Sequence, residues 1–202
     1  MKTTQIGLML AVVGLVGAVV AVQPEGVQPG DSLRSTVPPS FPGEHKMLAE
    51  LVGSYNTKVL VYSGQESPTA EIIGAAVRRS TLGGRFMQEQ LDASNAASPF
   101  ALETTLGFNP DGKDGEKWEL MRLSSAAFPM MVERGTFDSA AKVWTFKGEH
   151  RADGKIVKTR SVMRMESHRN HLLEVFVAYE DGAGKVTTPE FKAYTIEYER
   201  SR

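Results

Sequence analysis

A carboxylate and an ammonium held side by side in an apolar interior can pass a proton between them or grip the polar end of a ligand. Glu174 and Lys192 are the candidates for such a pair in this chain. They lie on two successive segments of alternating apolar and polar residues. Pairing those segments as a hairpin brings the two side chains close together, on the face that also carries Tyr194 and Tyr198. A lone buried carboxylate is costly, so an ammonium and a phenol are sensible companions for it. Arg122 and Arg85 add guanidinium groups able to hold a ligand anion, although structural pairing is the plainer role for Arg85. Trp144 and Met163 supply apolar contact area on the same inner face.

Other chemistry is weaker in the sequence. His45, His150, His168 and His171 form no HExxH-like pair. His168 and His171 flank a turn, which favours a loop role over metal binding, and His150 falls near a barrel end, where a satisfied rim histidine is the plain reading. No metal or cofactor is expected. Gly83-Gly84 is followed by no helix and reads as a hairpin turn rather than a phosphate cradle. Ser124 and Ser125 lack a nucleophile elbow, so no catalytic residue is assigned. Met130-Met131, Met163 and Met165 fit a pocket lining and a filled core equally well.

The elements that must position these residues are strands. Ten alternating segments, near 54–63, 69–81, 85–94, 99–109, 116–124, 129–137, 142–151, 155–166, 171–181 and 185–200, succeed one another through turns such as Leu82-Gly83-Gly84, Asn109-Pro110-Asp111-Gly112, Ala152-Asp153-Gly154 and Asp181-Gly182-Ala183-Gly184. No long helical pattern intervenes. The expected fold is all-β: an up-and-down antiparallel barrel of about ten strands, lipocalin-like or fatty-acid-binding-protein-like. One short helix over 44–52 precedes it, with Met47, Leu48, Leu51 and Val52 at helical spacing. Hairpin parity places Trp144, Phe146, Gly148 and His150 inside with Val157, Thr159, Ser161, Met163 and Met165. Carried across 167–170, the same parity places Leu172, Glu174, Phe176 and Ala178 inside. Across the last hairpin it adds Lys192, Tyr194, Ile196 and Tyr198. Lys147, Lys158, Glu149 and Arg160 fall on the solvent side. Pro189 is a place where a bulge could shift this register.

These blocks resemble a known family. His45-Lys46-Met47-Leu48 with Leu51-Val52-Gly53-Ser54-Tyr55 is similar to its opening pattern, and Arg79-Ser80-Thr81-Leu82-Gly83-Gly84-Arg85-Phe86 to its most specific block. Pro99-Phe100, Leu106-Gly107-Phe108-Asn109, Gly135-Thr136-Phe137-Asp138, Gly148-Glu149, His171 with Glu174, and Phe191-Lys192 with Tyr198 follow in order. The resemblance is to the bacterial lipocalin-like family called domain of unknown function 1579, over about residues 45–200. It implies a ten-stranded barrel, often exported, with no established activity. Two positions depart from the pattern: Tyr55 stands where a Trp is expected, and Arg122 and Ser124 stand where an aromatic and then an Asp are expected.

The 202 residues include no cysteine and carry a formal net charge of -1, which excludes disulfides, thiolate sites and a charge-driven nucleic-acid partner. Lys2 followed by the apolar run Ile6–Val22 reads as a signal peptide over 1–21, leaving no stable membrane insertion after its removal, with an uncleaved anchor as the alternative. Residues 22–43 hold five of the ten prolines and read as a flexible linker. The barrel domain spans 44–202. The expectation is an exported protein, in the periplasm or outside the cell, that binds a small hydrophobic or amphipathic molecule in the barrel. Arg85, Arg122, Trp144, Met163, Glu174, Lys192, Tyr194 and Tyr198 are its candidate ligand-binding residues. An enzyme acting in the same cavity and a solid-core barrel serving as a surface interaction module are the alternatives.

Overall fold

A computed structural model describes residues 42–95, 98–125 and 130–202. The expected signal peptide, and all of the expected linker except Pro42 and Gly43, lie outside the described residues. Helix α1 (Pro42–Leu51) starts two residues before the sequence expectation, because Pro42 takes the first-turn position that suits its missing N–H. Leu48 and Leu51 are its buried face. Its last carbonyls, which no further turn can satisfy, are met by the Tyr55 hydroxyl donating to Leu51 O at 2.7 Å and by Arg200 donating to Glu50 O at 2.9 Å.

Ten strands follow: β1 (Gly53–Val61), β2 (Ala70–Thr81), β3 (Phe86–Asn95), β4 (Ser98–Phe108), β5 (Trp118–Ser124), β6 (Met131–Asp138), β7 (Val143–Ala152), β8 (Lys155–Met165), β9 (Asn170–Glu180) and β10 (Val186–Arg200). Each pairs antiparallel with the next, and β10 returns to β1, closing the barrel. Closure removes the exposed strand edges that an open sheet would present. Period-2 burial then divides every strand into an inner and an outer row.

The starts of odd strands and the ends of even strands gather at the α1 end. Phe108, Trp118, Phe137 and Trp144 meet there, with Phe137 and Trp144 rings 4.2 Å apart and Trp118 edge-on to Trp144 at 5.7 Å. They pack into the same core cluster as Leu48, Leu51 and Tyr55. Gly74 marks a close approach of β2 to β3. A Cβ there would sit 2.4 Å from the Ala93 Cα of β3, a distance only glycine allows.

The expected inner row holds on β7 and β8, where Trp144 opposes Met163 and Phe146 opposes Ser161. On β9 it is reversed. His171, Leu173, Val175 and Val177 are buried inside, while Leu172, Glu174, Phe176 and Ala178 face out. The cause is an extra residue at the β8–β9 turn. Ser167 N–H bonds Asn170 O, yet the ladder proper begins with Met165 opposite His171. Two steps on β8 thus match one on β9, and a single extra residue flips every later side chain to the other face. On β10, Tyr194, Ile196 and Tyr198 point inward as expected, but Lys192 does not. Lys192 opposes Phe176 and Tyr194 opposes Val175, so Ala193 is the extra residue of a second bulge. A further shift between Thr188 and Phe191 brackets Pro189, whose missing N–H made it the expected weak point.

Candidate functional site

Two buried ion pairs occupy the barrel interior. Both were missed by the sequence reading, except for Arg122 itself. Near the α1 end, Arg78 on β2 stands directly opposite Glu89 on β3. Its Nε donates to Glu89 Oε2 at 2.5 Å, and its terminal nitrogen donates to His171 Nδ1 at 2.9 Å. The Tyr198 hydroxyl donates to the other carboxylate oxygen at 3.1 Å. The guanidinium lies 4.0 Å from the Tyr198 ring centre and 4.9 Å from that of Tyr55. Burial opposes the Arg78 charge, but Glu89 and the two phenols outweigh it and keep the group protonated. Burial and the charge of Glu89 push the Tyr198 hydroxyl well above its ordinary range. Arginine has only donors, so His171 Nδ1 must accept and the proton sits on Nε2. Burial first, then the Arg78 charge, lowers His171 to about 3, so it is neutral at ordinary pH. The expected loop role for His171 is therefore corrected: the turn bulge that reversed β9 also carried this histidine inside.

Toward the far end, Arg122 on β5 sits diagonally from Glu133 on β6. Arg122 donates to Glu133 Oε1 at 2.8 Å and to the Tyr194 hydroxyl at 2.9 Å. Ser161 donates to that same Oε1 at 3.1 Å. Both ionised side chains are essentially inaccessible, at 1% and 0% exposure. Burial opposes the Arg122 charge, and Tyr194 and Glu133 reverse that effect. Gly148 on β7 makes room for the carboxylate, since a Cβ there would meet Glu133 Cγ at 2.8 Å. Three inward atoms of this group have no partner among the described residues: Arg122 Nε, Glu133 Oε2 and the hydroxyl of Thr104, which stands directly opposite Arg122 on β4. They sit on three neighbouring strands, with Phe100, Leu102 and Met131 as apolar neighbours in the inner row. The Phe100 ring packs edge-on to Tyr194 at 5.4 Å.

The structure separates the sequence candidates into two sets. Arg122, Trp144, Met163, Tyr194 and Tyr198 are buried inside the barrel. Arg85 is exposed beside the β2–β3 turn, its guanidinium 5.9 Å from the Phe86 ring centre. Glu174 and Lys192 do meet, at 2.7 Å, but on the outer wall, where Arg164 also bonds the carboxylate. Their inward placement is thus corrected. Both partners shifted face together, one at each bulge, which is why the pairing survived and the face did not. Burial alone would raise the Glu174 carboxyl, but the Lys192 and Arg164 hydrogen bonds hold it below its ordinary value. A pair on the outer wall has no access to a molecule held inside. Arg78, Glu89 and Glu133 carried one signal that could have found them: each is a charged residue at an inward parity position of its strand.

A groove of about 580 Å³ runs along β1, β9 and β10, where outer-row Asn56, Lys58, Leu172 and Glu197 line it together with Thr57, His171 and Tyr198 of the inner row. No group of three or more His, Cys, Asp or Glu side chains among the described residues is placed to hold a metal ion. No helix among them is long and apolar enough to cross a membrane.

Curated proteins give no match to this chain. Among solved structures, the S-type phycobiliprotein lyase CPES from Guillardia theta is similar at 12% identity, with 81% of this chain and 99% of that one covered and a TM-score of 0.49. A protein of unknown function from the DUF3598 family of Nostoc punctiforme is similar at 7% identity, covering 78% of this chain and 99% of that one, with a TM-score of 0.23. The family model described as "Protein of unknown function (DUF1579)" matches residues 42–200, from the first residue of α1 to the last of β10, and the chain belongs to that family.

Proposed function

We propose that this protein is exported and holds a small, partly apolar molecule inside its barrel, with the polar end of that molecule at Arg122, Glu133 and Thr104. The observation that carries this reading is the set of three unpartnered buried atoms on adjoining strands. Each such atom costs about 1–3 kcal/mol when left unpaired, and native interiors seldom leave several together. A ligand head group recovers that cost, and Phe100, Leu102 and Met131 receive its apolar part. Export rests on the apolar run after Lys2 and its small-residue end at Ala21.

Native mass spectrometry of the protein purified from its own source tests the binding role. The expected result is a small-molecule mass excess that disappears on denaturation, and the bare chain mass alone would count against it. N-terminal sequencing of the same material tests export. A start near Val22 is expected, and an intact Met1 would contradict it.

A further inference from the structure

Resting on the reading that the interior holds a small molecule, we infer that the group recognised at Arg122 and Glu133 is uncharged and both accepts and donates hydrogen bonds, as a carboxamide or a hydroxyl does, and is neither a carboxylate nor an ammonium.

The open atom of Arg122 is an N–H, which can only donate; the open oxygen of ionised Glu133 can only accept. Their complement must therefore offer an acceptor and a donor together. An amide does so with its carbonyl and N–H, and an alcohol with a single oxygen. The Thr104 hydroxyl can take either role beside them. A ligand carboxylate would satisfy the arginine but set its lone pairs against Glu133 Oε2. A ligand ammonium would satisfy the glutamate and face the guanidinium.

Charge gives the same answer. The fully buried ionised groups described in the interior are Arg78 with Glu89 and Arg122 with Glu133, one cation to each anion. The arginine that a ligand anion would need is already neutralised. An ionised head would add a buried charge without a counter-charge, whereas an uncharged head completes the hydrogen bonds without disturbing the balance.

The test uses four probes sharing one decyl-length chain: decanamide, decanol, decanoate and decylamine. Each competes against the uncharged dye N-phenyl-1-naphthylamine at pH 7.5, below the micelle limit. For the wild-type protein the amide and the alcohol are expected to bind at least tenfold more tightly than the anion and the cation. Glu133→Gln frees the arginine charge and is expected to turn the preference toward decanoate. The double variant Arg122→Gln/Glu133→Gln leaves no buried charge to unbalance, and is expected to bring all four probes within about threefold of one another. It stands in for the single variant if that one fails to fold. Decanoate or decylamine binding the wild type as tightly as the uncharged probes would overturn this inference and leave interior binding intact. Failure of the dye and all four probes to bind would overturn the interior-binding reading itself.

Discussion

Both ends of the barrel bury an arginine against a glutamate, and they do so with different completeness. Near the α1 end, both Glu89 oxygens are engaged, and Arg78 bonds a carboxylate and an imidazole between two phenol rings. Within the Arg78–Glu89 network itself only His171 Nε2 stays open among the described residues, although Thr57 Oγ1, Trp144 Nε1 and Arg200 Nε are also open at that end. At the far end, two donors crowd onto Glu133 Oε1 while its Oε2 and Arg122 Nε go unmatched. A saturated network fixes the fold, because every group in it is held by the others. An unsaturated one stores unspent hydrogen-bonding capacity, which is what a binding site needs. The same two residue types thus build a saturated network in one place and, on the function proposed above, a binding site in the other.

The comparison breaks first if the saturated end tolerates damage. Glu89→Leu strands the Arg78 charge and leaves the Tyr198 hydroxyl without its acceptor, so a loss of about 3–5 kcal/mol is expected. Urea denaturation with an unchanged slope checks it, and a loss below about 1 kcal/mol would deny that this pair is buried and saturated.

Acid titration sharpens the same end. Unfolded His171 takes a proton near its ordinary value of 6.5, while in the folded protein it stays neutral down to about 3. Between those values the unfolded chain binds the extra proton, so stability falls as pH falls, by about 1.4 kcal/mol per unit. Glu174 contributes only lower, below 4.5, where its depressed carboxyl finally protonates. Thermal melts from pH 7 to 4 should show this slope, and His171→Gln should flatten it above pH 4.5.

Replacing each pair whole separates the two ends. Arg122→Met with Glu133→Leu removes a half-satisfied pair and is expected to be neutral or stabilising, by about 1–4 kcal/mol, in the ligand-free protein. Arg78→Met with Glu89→Leu should not share that gain, because Tyr198 and His171 lose their partners as well. Equal outcomes from the two double variants would erase the distinction between saturated network and binding site.

The outer wall gives the smallest effect. Glu174 and Lys192 keep partial contact with water, so Glu174→Leu should cost about 1 kcal/mol or less, and the double variant with Lys192→Met about the same.

The barrel was legible in the sequence because its signal is repeated: each strand's alternation and each Gly- or Asp-containing turn supports its neighbours. Trp144 opposite Met163 followed from the Ala152-Asp153-Gly154 turn alone. The candidate site was legible only in part. Arg122 and the apolar lining have inward parity on strands that run without interruption, whereas Tyr194 came out inward because the bulge at Ala193 offset the one at the β8–β9 turn. Glu174 was misplaced because one extra residue near Glu166 is invisible to a period-2 reading yet reverses everything after it. Arg78, Glu89 and Glu133 were passed over because a charged residue on a strand is ordinarily a solvent-facing one. Their inward position is paid for by cross-strand partners that lie 11 residues away along the chain.

On the function proposed above, the open hydrogen-bonding capacity at Arg122 and Glu133 belongs to a bound molecule. A high-resolution crystal structure of the protein purified from its own source tests it most directly. The account predicts density for a non-protein molecule within about 2.7–3.2 Å of both Arg122 Nε and Glu133 Oε2, extending toward Phe100 and Met131. Those two atoms closing onto other protein groups, or onto isolated waters alone, would contradict it.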